Sequence, residues 1–210
     1  MSKTISVCFA ALLFLFAGLQ GVLASQKNIL ILGDSLTAGY GLPPGQAFPD
    51  RLGEALRQSG IQVNIINAGV SGDTTAGGLA RLDWSVPSDV DGVIIELGAN
   101  DGLRGIDPRV TKANLDAIIT RLKDRNIPVL LTGMLAPPNM GSKYGNAFKA
   151  VFTDLARKHD VPLYPFFLKD VATVKQLNQP DGIHPNEAGV AVVVRNITPT
   201  VKQFIASIPD

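Results

Sequence analysis

Short β-rich runs and longer helical periods alternate along the chain after residue 25. The candidate strands are 29–32, 63–66, 93–97 and 129–132, with a shorter one near Leu163. The first is an apolar run closed by Gly33, the pattern of a buried strand. Between them lie helical periods. Phe48, Leu52, Ala55 and Leu56 share one face of a helix at 48–58, and Leu115, Ile118, Ile119 and Leu122 one face at 108–125. Phe148, Val151, Phe152 and Leu155 mark a helix at 144–159. A last helix covers 185–205, with Pro199 as a possible kink point and the 192–194 valines lowering its propensity. Such alternation implies parallel strands joined by right-handed crossovers. Five strands then predict a three-layer α/β/α sandwich. The longest irregular stretches are 97–107 and 134–141. With 210 residues and no repeat or low-complexity linker, one domain with a sizeable core is expected. Ligands of such sheets bind beyond the carboxyl ends of the strands.

The first residues read differently. Lys3 precedes an almost unbroken apolar stretch over 5–19, and Val22-Leu23-Ala24 offers small residues to a signal peptidase. This is the pattern of an export signal cleaved between Ala24 and Ser25, and the stretch is short for a membrane span. The expected division is a signal peptide over 1–24 and one domain over 25–210, exported to the periplasm or medium without a stable membrane anchor. Cys8, the single cysteine, falls inside the signal, so the mature chain folds without disulfides. The whole chain has 19 Lys and Arg against 18 Asp and Glu, so removing Lys3 leaves about zero net charge. With no basic block either, nucleic acid is excluded as an expected partner.

Chemistry concentrates where strands end. Ser35 stands in Gly33-Asp34-Ser35-Leu36, directly after the first strand. A serine hydroxyl is a weak nucleophile and needs a base. Of two histidines, His184 lies in Asp181-Gly182-Ile183-His184-Pro185, where a carboxylate three residues earlier can orient the imidazole. Ser35, Asp181 and His184 therefore outline a Ser-His-Asp hydrolase. Taken singly, Ser35 also reads as a helix cap and Asp181-Gly182 as a turn. An oxyanion needs donors as well. Asn100, in Gly98-Ala99-Asn100-Asp101, offers a neutral amide. Gly72, in Gly69-Val70-Ser71-Gly72-Asp73-Thr74, offers a backbone N–H with no side chain in the way, and the Ser35 N–H is a third donor.

These four segments, in this order, resemble the four blocks of the SGNH, or GDSL-type, hydrolases. The stretches 31–40 and 100–105 resemble its secreted bacterial thioesterase I, lysophospholipase L1 and arylesterase subgroup. The resemblance implies a flavodoxin-like five-stranded parallel sheet of order 2-1-3-4-5. It further implies Ser35 as nucleophile, Gly72 and Asn100 as oxyanion donors with Ser35, and Asp181 with His184 completing the triad. Subgroup members often carry an Arg and a Tyr after the fourth strand, where this chain has Leu135 and Met140. That departure bears on chain-length and head-group preference.

Other residues invite weaker readings. Ser71 lacks the G-x-S-x-G elbow because Asp73 interrupts it. His159 falls where a helix should end and reads as a solvated C-terminal histidine. Asp34 and Asp73 could meet a metal, but two histidines and no mature cysteine make a zinc site improbable, and no metal or cofactor is expected. Asp34 reads as structural, fixing the loop of Ser35. Leu103, Ile106, Met134, Leu135 and Pro137, with Pro138 and Met140, give apolar loops suited to an acyl chain or to ordinary packing.

The expected function is a secreted, monomeric serine esterase acting on small acyl and aryl esters, with thioesters and lysophospholipids as further candidates. Two other readings compete. One is a carbohydrate O-deacetylase of the same fold. The other is a flavodoxin-like phosphate- or flavin-binding module using residues 35–39 as its cradle.

Overall fold

The computed structural model describes residues 26–209, so the expected signal peptide lies outside the described residues. The order of elements is β1 (Lys27–Gly33), α1 (Ser35–Ala38), α2 (Phe48–Gln58), β2 (Val63–Gly69), α3 (Thr75–Ala80) and α4 (Leu82–Ser85). Then follow β3 (Gly92–Glu96), α5 (Ala99–Leu103), α6 (Pro108–Asp124), β4 (Val129–Thr132), α7 (Ser142–His159), β5 (Leu163–Tyr164) and α8 (Glu187–Ser207).

The strands form one parallel sheet of order β2-β1-β3-β4-β5. This is the three-layer α/β/α arrangement expected from the strand–helix alternation. β3 and β4 are buried along their whole length, and β1 is buried except at Asn28. A parallel strand covered by helices on both faces has no polar side, which is why these read as continuous aliphatic runs. β2 lies at an edge and carries exposed Asn64 and Asn67. On one face α2 packs against α8, and on the other α6 packs against α3 and α7. Aromatic rings close both layers. Phe48 meets Phe167 edge-on at 4.9 Å, and Phe148 meets Phe152 at 5.6 Å. Each such ring, fully buried, contributes roughly 1.5–3 kcal/mol.

Several boundaries and elements differ from the sequence reading. The 97–107 stretch, expected to be irregular, contains α5, and 75–85 holds α3 and α4. α3 carries Gly77 and Gly78 and has little intrinsic propensity. It is held from outside: Thr74 caps it through Gly77 N–H, and the buried Asp101 carboxylate accepts from Thr75 N–H at 2.8 Å. α8 starts two residues late because Pro185 bridges to Asn178, leaving Asn186 to cap the helix through Gly189 N–H. It runs on through Pro199. The N–H missing there deprives the Arg195 carbonyl of its partner, but both residues lie on the exposed face, where water replaces it.

Candidate active site

The chain crosses one end of the sheet repeatedly, and each crossing leaves a polar or apolar group there. Ser35 opens α1 immediately after β1. Gly72 lies in the turn after β2, and Asn100 is the second residue of α5, after β3. The 134–138 segment follows β4, and Asp181 and His184 precede α8.

Ser35, His184 and Asp181 meet in one chain of contacts. His184 Nδ1 is 2.6 Å from Asp181 Oδ2, and His184 Nε2 is 2.8 Å from Ser35 Oγ. Burial pushes the Asp181 carboxyl up. The imidazole of His184 and the N–H groups of Ile183 and His184 outweigh that and hold it below the ordinary carboxylate range. An ionised carboxylate only accepts, so the proton of the imidazole sits on Nδ1. Nε2 is then left with a lone pair, to which the Ser35 hydroxyl donates. Tyr40 lies over the imidazole, ring centroids 4.6 Å apart and planes tilted by 36°. Gln179 Nε2 donates to the Tyr40 carbonyl at 2.7 Å, tying the Tyr40 loop to the histidine loop.

The three expected oxyanion donors surround the same cleft. Among the described residues, no acceptor takes the N–H of Ser35 or of Gly72. Gly72 has φ of 86° and nothing close to a would-be Cβ except Arg104 Nη2 at 3.9 Å. Glycine is needed there for its left-handed backbone rather than for space. Asn100 is differently placed. Its Nδ2 donates to Asp34 Oδ2 at 3.1 Å and to the Asp73 carbonyl at 2.9 Å. An oxyanion must therefore draw one of those two hydrogens away. The helix that carries Asn100 begins at Gly98, φ 116°, where a Cβ would stand 3.0 Å from Phe152 Cζ. Asp101 anchors it by accepting from Thr75 and Thr111.

Asp34, read as structural, caps α1 by accepting from Leu36 N–H at 3.0 Å and is fully buried. Burial pushes its carboxyl up to about 6, against the hydrogen bonds from Leu36 and Asn100. Arg81 braces the neighbouring loop. Its Nε donates to Asp73 Oδ2, and its Nη2 donates to the Gly33 carbonyl at 2.8 Å.

The cleft beside Ser35 has a volume of about 530 Å³, within the size range of small-molecule sites. Leu103, Met134, Leu135, Pro137 and Pro138 line it as expected. Ile106 and Met140 do not. The Ile106 carbonyl accepts from Tyr144 Oη at 2.7 Å, behind the cleft wall, and the Met140 methyl packs over Gly105. The opposite wall is Phe166, Leu168, Ala172 and Thr173, with Ile183 and Tyr40 at the rim. Sequence reasoning missed that wall. The rule that ligands bind beyond strand carboxyl ends applies equally to β5, which is too short to announce itself.

Two decoys are settled by position. Ser71 lines the cleft, but the imidazole contact goes to Ser35. His159 is not solvated as expected. It is half-buried at the end of α7, with Nε2 against Asp116 of α6, because that carboxylate faces both it and Lys158. Among the described residues, no cluster of three or more His, Cys, Asp or Glu could hold a metal ion.

The sequence profile of the GDSL-like lipase/acylhydrolase family matches residues 31–192. An arylesterase from Vibrio mimicus is 42% identical over 174 residues, covering 82% of this chain and 87% of its own. The thioesterase 1/protease 1/lysophospholipase L1 of Escherichia coli is 42% identical over 164 residues, covering 78% and 77%. Among solved structures, a crystal structure of TesA superposes with a TM-score of 0.81 at 38% identity, over 85% of this chain and 99% of that one.

Proposed function

The chain belongs to the GDSL-like lipase/acylhydrolase family and is a serine ester hydrolase, and we propose that it cleaves esters of apolar acyl groups through an acyl-enzyme on Ser35. The observation that carries this reading is the unbroken line from Asp181 through His184 to Ser35 at the mouth of an apolar cleft. Ser35 Oγ attacks the ester carbonyl as Nε2 of His184 takes its proton. Asp181 stabilises the imidazolium without taking that proton. The charge that builds on the carbonyl oxygen goes to the N–H groups of Ser35 and Gly72 and to the Asn100 amide. Nε2 then returns the proton to the leaving alcohol or thiol. Water, activated in the same way, releases the acid.

Both walls of the cleft are apolar, which favours an acyl chain over a sugar and counts against the deacetylase reading. The relatives carry the names arylesterase and thioesterase/lysophospholipase, so aryl esters, acyl thioesters and lysophospholipids are the substrates to compare. The test is a panel of p-nitrophenyl esters of rising acyl length, acyl-CoAs and lysophospholipids, with Ser35→Ala as the blank. Activity on aryl esters that rises with acyl length and vanishes in the blank supports the reading. Turnover confined to acetylated sugars overturns it in favour of the deacetylase.

Among the described residues, no helix is long and apolar enough to cross a membrane. Export with cleavage near Ala24-Ser25 is part of the same proposal, and the intact mass of the secreted protein tests it.

A further inference from the structure

Beneath the turn that presents Ser35 lie two carboxyl groups with no cation between them. Glu96 ends β3, in register with Gly33 of β1, and is fully buried. Its Oε2 accepts from Thr37 Oγ1 at 2.8 Å and from Asp34 N–H at 3.3 Å. Its Oε1 is buried and meets no donor. Asp34, also fully buried, spends Oδ1 on Leu36 N–H and Oδ2 on Asn100 Nδ2. Neither carboxyl has an ion-pair partner among the described residues. Arg81, the buried guanidinium nearby, is engaged with Asp73 and the Gly33 carbonyl. The other charged groups facing Asp34 are Asp73, which opposes its charge, and His184, which favours it.

A buried carboxylate oxygen with no donor is costly, and the nearby negative charge of Asp34 makes ionising Glu96 costlier still. A single proton resolves both problems. Placed on Glu96 Oε1, it removes the buried charge there, keeps Oε2 free to hold the Asp34 N–H, and leaves Asp34 as the anion that Asn100 needs.

We propose that Glu96 works as a neutral carboxylic acid that holds Asp34, and through it the Asn100 amide, in the pose that receives the oxyanion. The proposal rests on the reading of Asn100 given above. Glu96 is a positioning residue: it touches neither substrate nor the reacting atoms. Asp34 retains one hydrogen of the Asn100 amide, and the other, resting on the Asp73 carbonyl, turns to the substrate. Burial and the Asp34 charge push the Glu96 carboxyl well above its ordinary range, in keeping with a protonated group.

The experiment compares Glu96→Gln, Glu96→Ala and Asn100→Ala with the parent. A glutamine mimics the neutral acid in shape and charge, keeping an oxygen acceptor and putting an NH₂ where the hydroxyl stands. Glu96→Gln is expected to keep kcat within about threefold at neutral pH. Glu96→Ala is expected to lose about tenfold or more in kcat at nearly unchanged KM, a fraction of what loss of a whole oxyanion donor costs. Infrared spectra in deuterated buffer should show a protonated-carboxyl stretch in the parent that Glu96→Gln lacks. A Gln variant as impaired as the Ala variant, or no such band in the parent, overturns the proposal. If Glu96→Ala does not fold, the Gln variant and the spectrum still decide. If Asn100→Ala leaves kcat intact, the oxyanion reading fails and the positioning role falls with it, while the infrared band reports the proton on Glu96 separately.

Discussion

His184 Nε2 lies 2.8 Å from Ser35 Oγ although 149 residues separate them in sequence. The sheet makes that meeting possible. β1, paired between β2 and β3, delivers Ser35 to the carboxyl end, and the segment before α8 returns the chain to the same end. Asp181 is local to His184 and fixes its tautomer, so only one long-range contact has to be made by folding.

The first prediction concerns that tautomer. Asp181→Asn keeps an oxygen for the Ile183 and His184 N–H groups, so the turn should survive. Its amide N–H now faces Nδ1, which puts the imidazole proton on Nε2, where it blocks acceptance from Ser35. In a well-studied triad this change costs about 10⁴ in kcat. Stopped assays of kcat/KM against pH should show a loss approaching that size at every pH, with circular dichroism unchanged. A variant equal to its parent would mean that Asp181 does not orient the base.

If Asn100 is an oxyanion donor as proposed, Asn100→Ala lowers kcat by about 10²–10³ and leaves KM nearly unchanged, since such a donor acts on charge that exists only in the transition state. Steady-state kinetics on one good ester suffices. A rise in KM with kcat preserved would assign Asn100 to ground-state binding instead.

The wall after β5 supplies a third prediction. Ala172→Phe narrows the cleft opposite Leu135 and Met134. Each methylene that an apolar site buries is worth about 0.8 kcal/mol, or roughly fourfold in kcat/KM. The variant should lose this increment for longer acyl chains while acetate esters are less affected. A uniform loss across the ester series would show that the acyl chain lies elsewhere.

The fourth concerns stability against pH. Asp34 is raised from 3.8 to about 6 in the folded protein, and Glu96 is raised further above its own ordinary value. A raised carboxyl stabilises the fold fully below its unfolded value, and that contribution is lost as pH rises through the folded value. Asp116 and Asp154, held low by Lys158 and Lys112, act in the opposite direction and only in acid. Thermal melts of Glu96→Gln should therefore gain on the parent as pH rises from 5 upward. Parallel curves would mean that Glu96 does not change its proton affinity on folding.

Much of this arrangement is legible in the sequence, and the reasons are physical. The central strands read clearly because burial on both faces leaves continuous aliphatic runs along them, at 29–32, 93–95 and 129–131. Their order is legible only through the resemblance to the GDSL-type hydrolases, since alternation and crossover handedness give parallel strands but no order. Ser35, Asp181 and His184 could be singled out because a serine at a strand end and a late Asp-x-x-His are rare in combination. α3 and α5 could not be read, because tertiary hydrogen bonds to Asp101, not propensity, hold α3 in place. Hydrophobicity alone points Ile106 to the cleft, yet it does not line it, and its carbonyl is taken up by Tyr144 Oη. His159 carries no local mark of Asp116, which comes from another helix. Glu96 reads simply as the end of a strand, and only burial beside Asp34 gives it significance.

The central claim is that Ser35 is the nucleophile of this cleft. A fluorophosphonate carrying a short alkyl chain, followed by peptide mass mapping, tests it most directly. One adduct per chain is expected, on the peptide bearing Ser35, appearing in step with loss of esterase activity and absent in Ser35→Ala. An adduct on Ser71, or full esterase activity in Ser35→Ala, would contradict it.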